Sequence, residues 1–449
     1  MRYIKIFLIC VFTLYISSCG RLKTPEELMK PPELNRETKI IKDALTEFLP
    51  QDSSIYSIPY SNKTGKEESF MQKDIDNDGE DEVLALYKSN TSNTYGVLIL
   101  KEKNDKWTNF RQIAIVSEDL TEYKVEDIDK DGKYEIIMGY TEQVSGTKHL
   151  VIFADTGKKY EKIFNSPYYS FVITSDFDTG QKGNTLIVLS YIDKSKKENS
   201  ITAYTYIPDR RRFDKKNTIK YPSSVEPYNI QIGQVKKNVN AIFVDMYVNL
   251  IYGKFDILSY KKGRLESLFQ DSLNSLEIQN FPIPCSDIDG DGIIEIAKTD
   301  LVSNINDREN RTPVFVKKYY KFLDKDNFEL TRVMYEDPFD VNVSINFPKE
   351  FWNKFIINKE TYTNKITVYY QTNNSQIRKS FPLFSIRRVN LSRLDSYKDY
   401  IVISQDNNRV TFFTIAPYND SIPEVEKSSY NKIYQIVKNP DTFIKAADY

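Results

Sequence analysis

Apolar positions in this chain come mostly in short runs, separated by polar turns rich in Asn, Asp, Gly and Lys, with no sustained helical period. That patterning predicts β-strands joined by tight connections. Two stretches depart from it. Between residues 37 and 49, Ile40, Ile41, Ala44, Leu45 and Phe48 share one helical face, and across 428–438 Tyr430, Ile433, Tyr434 and Val437 do the same. Each is expected to form one amphipathic helix. The first either packs on the domain that follows or acts as a spacer.

The strands repeat as a group. A polar turn followed by a large side chain that opens a strand recurs at Trp107, Tyr160, Phe213, Leu265 and Phe328, spaced 53, 53, 52 and 63 residues apart. The longer last interval contains the polar stretch 303–313, expected to be a loop insertion. Five units are therefore expected, each of four strands. In the second unit these fall at 123–125, 136–140, 150–153 and 160–164. A four-stranded unit of this length suits a propeller blade better than a solenoid coil.

Three units carry the same nine-residue loop before their second strand. It reads D-I-D-N-D-G-E-D-E from Asp74 to Glu82, D-I-D-K-D-G-K-Y-E from Asp127 to Glu135, and D-I-D-G-D-G-I-I-E from Asp287 to Glu295. Asp and Gly are ordinary turn formers, but a turn does not need four carboxylates in nine residues, and these would repel one another without a cation. Acids at positions 1, 3, 5 and 9, with glycine at 6, make an oxygen cage for a hard cation such as calcium. The candidate ligands are Asp74, Asp76, Asp78 and Glu82, then Asp127, Asp129, Asp131 and Glu135, then Asp287, Asp289, Asp291 and Glu295. An EF-hand needs Glu at position 12, where this chain has Ala85, Met138 and Lys298. The third unit keeps two acids, Asp176 and Asp178, and the fourth, at 233–238, keeps none. Both are expected to form their strands without an ion.

These loops resemble the D-x-D-x-D-G-x-x-[DE] loops of FG-GAP and VCBS-type calcium propellers, and the resemblance spans roughly residues 51–336. It implies a mainly β fold with a β-propeller of about five four-stranded blades. It further implies that the carbonyls of Glu80, Lys133 and Ile293, at position 7, complete the three cages. Dockerin modules share the loop but place two copies close together, unlike the spacing here. Residues 337–449 are expected to form a small α+β domain, or in part a sixth blade.

The N-terminus has Arg2 and Lys5, an apolar run from Ile6 to Ile16, then Ser17, Ser18 and Cys19. A basic start, a short apolar stretch and small residues mark a secretory signal, and the run is too short to span a bilayer. Ile16-Ser17-Ser18-Cys19 resembles the lipobox of bacterial lipoproteins, in which the cysteine is lipidated. The expected organisation is a signal peptide at 1–18, a linker with helix at 19–50, propeller repeats at 51–336 and the C-terminal domain. The mature protein is expected outside the cytoplasm, tethered to the membrane through lipid on Cys19. Of three cysteines only Cys285 then remains as a thiol, so no intramolecular disulfide is expected.

Composition narrows the function. Without Arg2 and Lys5 the chain has 60 basic and 63 acidic residues, leaving no basic field for nucleic acid. His149 is the single histidine, which excludes a multi-histidine zinc site. Ser145 and Lys148 match S-x-x-K but lie in an inter-strand turn without an S-D-N partner, a coincidence in a chain rich in both residues. The leading expectation is a non-catalytic calcium-binding module for a protein or glycan. A structural role in the cell envelope is the first alternative, and a polysaccharide hydrolase or lyase is the second.

Overall fold

The structure, a computed structural model, describes residues 36–57, 70–174, 186–193, 198–261, 263–269, 281–302, 312–324, 327–372 and 379–447. Residues 1–18, expected to be a signal peptide, Cys19, and the acids Asp176 and Asp178 lie outside the described residues, as does most of 303–313. The fold is mainly β, built of antiparallel sheets, several of them four-stranded. The chain divides into two compact units, Met1–Leu120 with Thr156–Tyr160, and Thr121–Asp155 with Glu161–Tyr449. Among the described residues no helix is long and apolar enough to cross a membrane.

The first unit pairs a helix with one sheet. Helix Arg36–Phe48 buries Ile41, Ala44 and Leu45 against Val83, Ala85, Leu98 and Leu100. Ile40, expected on the packed face, is 49% exposed, because the buried stripe runs through 41, 44 and 45 and leaves 40 at its margin. The sheet orders Glu82–Ser89, Thr94–Lys103 and Lys106–Val116 by hairpins. Its remaining edge is made twice over: Ser53–Ile55 pairs one end of Glu82–Ser89 and Met71–Lys73 pairs the other. The two short strands thus act as one edge strand interrupted by residues 56–70.

In the second unit, sheets follow one another along the chain. The second sheet has Asp119–Glu126, Glu135–Thr141, Lys148–Asp155 and Tyr160–Pro167 in sequential order, apart from the terminal residues 119, 120 and 160 that belong to the first unit. The third is Ser170–Thr174, Leu186–Asp193, Glu198–Ile207 and Arg212–Pro222, and the fourth is Val225–Lys236, Val239–Val248, Tyr252–Lys261 and Arg264–Ser267. The fifth runs Ile296–Leu301, Phe315–Asp324, Asn327–Asp337, Val343–Phe347 and then Ile444–Lys445. In the first four sheets the two middle strands are buried on both faces, while the last full strands alternate or are half-buried. A strand buried on both faces must be covered on both sides, and within the second compact unit neighbouring sheets supply that cover.

The cores record that packing. Ile137, Leu150 and Ile152 of the second sheet share a cluster with Ile187, Leu189 and Phe213 of the third. Val188 and Ile201 of the third join Ile242, Val244 and Ile257 of the fourth and Ile296 and Phe322 of the fifth. Val316, Val333 and Ile345 of the fifth join Ile357, Ile366, Val368 and Leu383 of the last.

The C-terminal segment forms a five-stranded sheet, ordered Phe355–Glu360, Lys365–Gln371, Ser380–Asn390, Arg409–Ile415, Tyr400–Gln405, with helix Glu424–Val437 beside it. That helix buries Tyr430, Ile433, Tyr434 and Val437, the face its spacing predicts. The expected boundary at 336–337 falls inside the fifth sheet, because Asp337 pairs with Val343 across a short turn.

Candidate metal centre

Each acid loop joins an edge segment to the buried second strand of its sheet. In the first two sheets the edge is a strand; in the fifth it is a single bridge between Ser286 and Glu295. The same hydrogen bonds shape all three. The last glutamate turns back, and its Oε2 accepts from the backbone N–H of position 2: Ile75 to Glu82 at 3.0 Å, Ile128 to Glu135 at 3.0 Å, Ile288 to Glu295 at 2.9 Å. The first aspartate accepts from the glycine N–H at position 6, at 2.9, 3.1 and 2.9 Å for Asp74, Asp127 and Asp287. The fifth-position Asp accepts from position 7, Glu80, Lys133 or Ile293.

That geometry needs positive φ twice. Gly79, Gly132 and Gly292 at position 6 have φ of 93°, 88° and 85°, where a side chain would be strained. Asn77, Lys130 and Gly290 at position 4 are left-handed as well, with φ of 61°, 60° and 78°. A left-handed lysine is unfavourable in isolation, so the surrounding contacts hold the loop in its shape.

In each loop the turn brings three of the four candidate acids together, leaving Glu82, Asp131 and Glu295 outside the groups. Carboxylate oxygens of Asp74, Asp76 and Asp78 lie within 4.8 Å of one another, as do those of Asp127, Asp129 and Glu135, and of Asp287, Asp289 and Asp291. The final glutamates are buried, Glu82 and Glu295 at 0% exposure and Glu135 at 4%. Asp76 Oδ1 and Asp127 Oδ1 are buried without a hydrogen-bond partner. An all-oxygen donor set with orphaned buried oxygens fits a hard cation of the calcium type. Calcium held there would bridge the edge of each sheet to its second strand through the Asp and Glu carboxylates.

Sequence reasoning missed two lysines of these sites. The Lys101 ammonium lies 2.7 Å from Asp76 Oδ2, 2.7 Å from Asp78 Oδ2 and 2.8 Å from Glu82 Oε1. Lys321 Nζ takes the same place in the last loop, 3.0 Å from Asp289 and 3.4 Å from Glu295, and paired to Asp291. Burial alone would lower both ammonium groups, but their hydrogen bonds to the loop acids raise them. The Lys101 hydrogen bond lowers Asp78, and Lys321 does the same to Asp291. Both lysines sit some twenty residues past their loops, on the neighbouring strand, so only the strand register could have pointed to them. Tyr206 was also missed: its hydroxyl, from the third sheet, donates to Asp129.

The second loop differs in charge. Burial comes first in pushing Glu135 up to about 8, and Asp129, Asp131 and Asp127 add to it against the Ile128 N–H. The fourth unit's acid-free counterpart, at 233–238, is the end of strand Val225–Lys236 and the two-residue turn 237–238 into Val239–Val248, with Asn238 N–H donating to Gln234 Oε1. Cys285 is 3% exposed; burial and the neighbouring Asp245 push its thiol well up. Ser145 Oγ donates to Glu142 on an exposed turn, at 2.6 Å. Apart from the loops, an open, mainly apolar groove of about 630 Å³ is lined by Phe281, Phe315, Phe339, Pro338 and Lys359.

No family model matches the chain, and no curated protein does. Among solved structures it is similar to the exotype rhamnogalacturonan lyase YesX, at 13% identity over 74% of this chain and 75% of that one, with a TM-score of 0.25. It is likewise similar to the Bacillus licheniformis rhamnogalacturonan lyase PL11, at 12% identity, the same coverage and a TM-score of 0.27. At those scores the likeness carries no argument about activity.

Proposed function

We propose that this chain is a calcium-braced β-propeller, lipid-anchored through Cys19 outside the cytoplasm, that serves as a non-catalytic binding module for a protein or glycan. The supporting observation is how the loop carboxylates are used. In three loops far apart in sequence, Asp at position 1 and Glu at position 9 accept the same backbone N–H groups to within about 0.2 Å. Acids committed to shaping the turn are suited to locking a strand pair through an ion, not to shuttling protons in a reaction. The four-stranded meanders packed one on the next support the propeller reading. The open groove with exposed Phe281 and Phe339 is the surface offered for ligand capture.

Calcium should therefore stabilise the fold. At a hundredfold excess over its dissociation constant, one site adds roughly 2.7 kcal/mol. Thermal unfolding of the full-length protein is expected to shift upward by several degrees in calcium relative to chelator. An unchanged melting temperature with calcium demonstrably bound would assign the ions to ligand capture instead. Metabolic labelling with a palmitate analogue should mark the wild type and not Cys19→Ala; equal labelling of both would remove the anchor. A glycan array probed with wild type and Phe339→Ala tests the groove.

A further inference from the structure

The three loops share a backbone but not a charge, and the difference comes from one position on the adjoining strand. Val83 pairs with Leu100, Ile136 with Phe153 and Ile296 with Tyr320. One residue further along each register, the loop's buried glutamate faces Lys101 in the first sheet, Ala154 in the second and Lys321 in the fifth. We propose that Lys101 and Lys321 are tethered cations that compete with a metal ion for the Asp74 and Asp287 loops, so that the Asp127 loop, opposite Ala154, is the tight calcium site. This inference rests on the calcium-loop reading above.

The geometry supports the competition directly. Lys101 Nζ stands 2.7–2.8 Å from three different loop acids, and Lys321 Nζ is within 3.4 Å of three. These are the oxygens a calcium ion would need, at about 2.3–2.6 Å. An ammonium and a divalent cation cannot both occupy so small a volume, because their repulsion at a few ångströms is large where water is excluded. Metal entry at either loop therefore requires the lysine to swing away and give up its ion pairs. A tether also keeps the competitor at high effective concentration, which dilution does not reduce. Both lysine side chains are held close, 17% and 19% exposed, and Lys101 additionally lies over the Phe110 ring.

At the second loop this strand position is a 4%-exposed alanine that carries no charge. Glu135 is more than nine-tenths buried, its carboxylate accepts from Ile128 N–H, and one of its oxygens groups with those of Asp127 and Asp129. Asp127 Oδ1 is buried there without a partner. An ion entering this loop displaces no strand-borne ammonium. Two loops would hold their shape when calcium is scarce, and one would report its concentration.

Equilibrium dialysis of the full-length protein in detergent with radiolabelled calcium tests this. The wild type should bind one ion tightly and two at least about tenfold more weakly, a gap equivalent to 1.4 kcal/mol. Lys101→Met with Lys321→Met should move the two weak sites toward the tight class, and Asp127→Asn should remove the tight class alone. Ala154→Lys should weaken the tight site; since it enlarges a buried side chain, circular dichroism must show it folded, and the other variants decide if it is not. Three equal sites in the wild type, an unchanged weak class in the double lysine variant, or a tight site that survives Asp127→Asn would each overturn the inference. Absence of binding by every variant at millimolar calcium would instead overturn the calcium reading itself, and the inference with it.

Discussion

At the residue scale, the most consequential buried charge outside the loops is Asp256. It is 3% exposed, accepts from Ser267 Oγ at 2.7 Å, Ile257 N–H at 2.8 Å and Tyr221 hydroxyl at 3.2 Å, and has the buried Lys254 as its counter-charge. Burial outweighs those bonds and pushes its carboxyl up to about 6. A folded-state value above the unfolded one means the stability it contributes is full below about pH 4 and is lost as pH rises through 6. The difference from an ordinary aspartate corresponds to about 3 kcal/mol. Urea unfolding across that window should show the wild type losing about that much relative to Asp256→Asn, which keeps the shape and cannot ionise. Parallel pH profiles for the two proteins would mean the carboxyl is ionised at no cost. The same buried-acid physics acts at Glu82 and Glu295, but there a lysine from the neighbouring strand opposes it.

At the element scale, helix Arg36–Phe48 illustrates how little of a helix does the packing. Leu45 is fully buried and Ile41 1% exposed against the first sheet, while Ile40 on the margin is half in solvent. Leu45→Ala should cost about 2–5 kcal/mol, the range for large-to-small changes in a core. Ile40→Ala should stay within about 0.5 kcal/mol, as surface changes do. Chemical unfolding monitored by Trp107, which packs on the same cluster, checks both. Equal losses at 40 and 45 would mean the helix rests on a different face. Among the strands, Gly96 shows the same selectivity: a Cβ there would meet the Ile113 carbonyl at 2.2 Å and the Tyr87 ring at 2.4 Å, so the hairpin admits no side chain at that point.

At the scale of the whole molecule, the fifth sheet is completed from the far end of the chain. Ile444 pairs with Ile345, the Phe443 carbonyl accepts from Asn346 N–H at 2.8 Å, and the Phe443 ring lies 5.8 Å from that of Phe351. Phe443 and Ile444 belong to the same core as helix Glu424–Val437 and the last sheet. Deleting residues 439–449 should therefore destabilise the whole second unit and not merely fray its end. The expected result is a loss of roughly 3 kcal/mol or more, since two buried large side chains disappear together. Limited proteolysis and thermal unfolding of the truncated protein provide the measurement; an unaltered melting temperature would show the terminal strand to be dispensable.

Local elements and local chemistry are legible in short stretches of the chain. The four strands of the second sequence repeat, the helical face of Tyr430, Ile433, Tyr434 and Val437, and the three acid loops are all written in neighbouring residues, because turn chemistry and side-chain period act over a few positions. Within the loops, the glycine at position 6 was legible and the left-handed residue at position 4 was not, since Asn77 and Lys130 carry no compulsory signal for that conformation. The remaining features depend on strand register. Lys101 and Lys321 stand 19 and 26 residues beyond Glu82 and Glu295, so the hairpin lengths differ and no fixed spacing marks them. Ala154 is distinctive only once the strands are paired. The insertion between residues 55 and 71, which splits one edge strand in two, and the closing of the fifth sheet by Ile444 were likewise unreadable, because strand pairing at long separation is selected by the packing of whole sheets rather than by any local pattern.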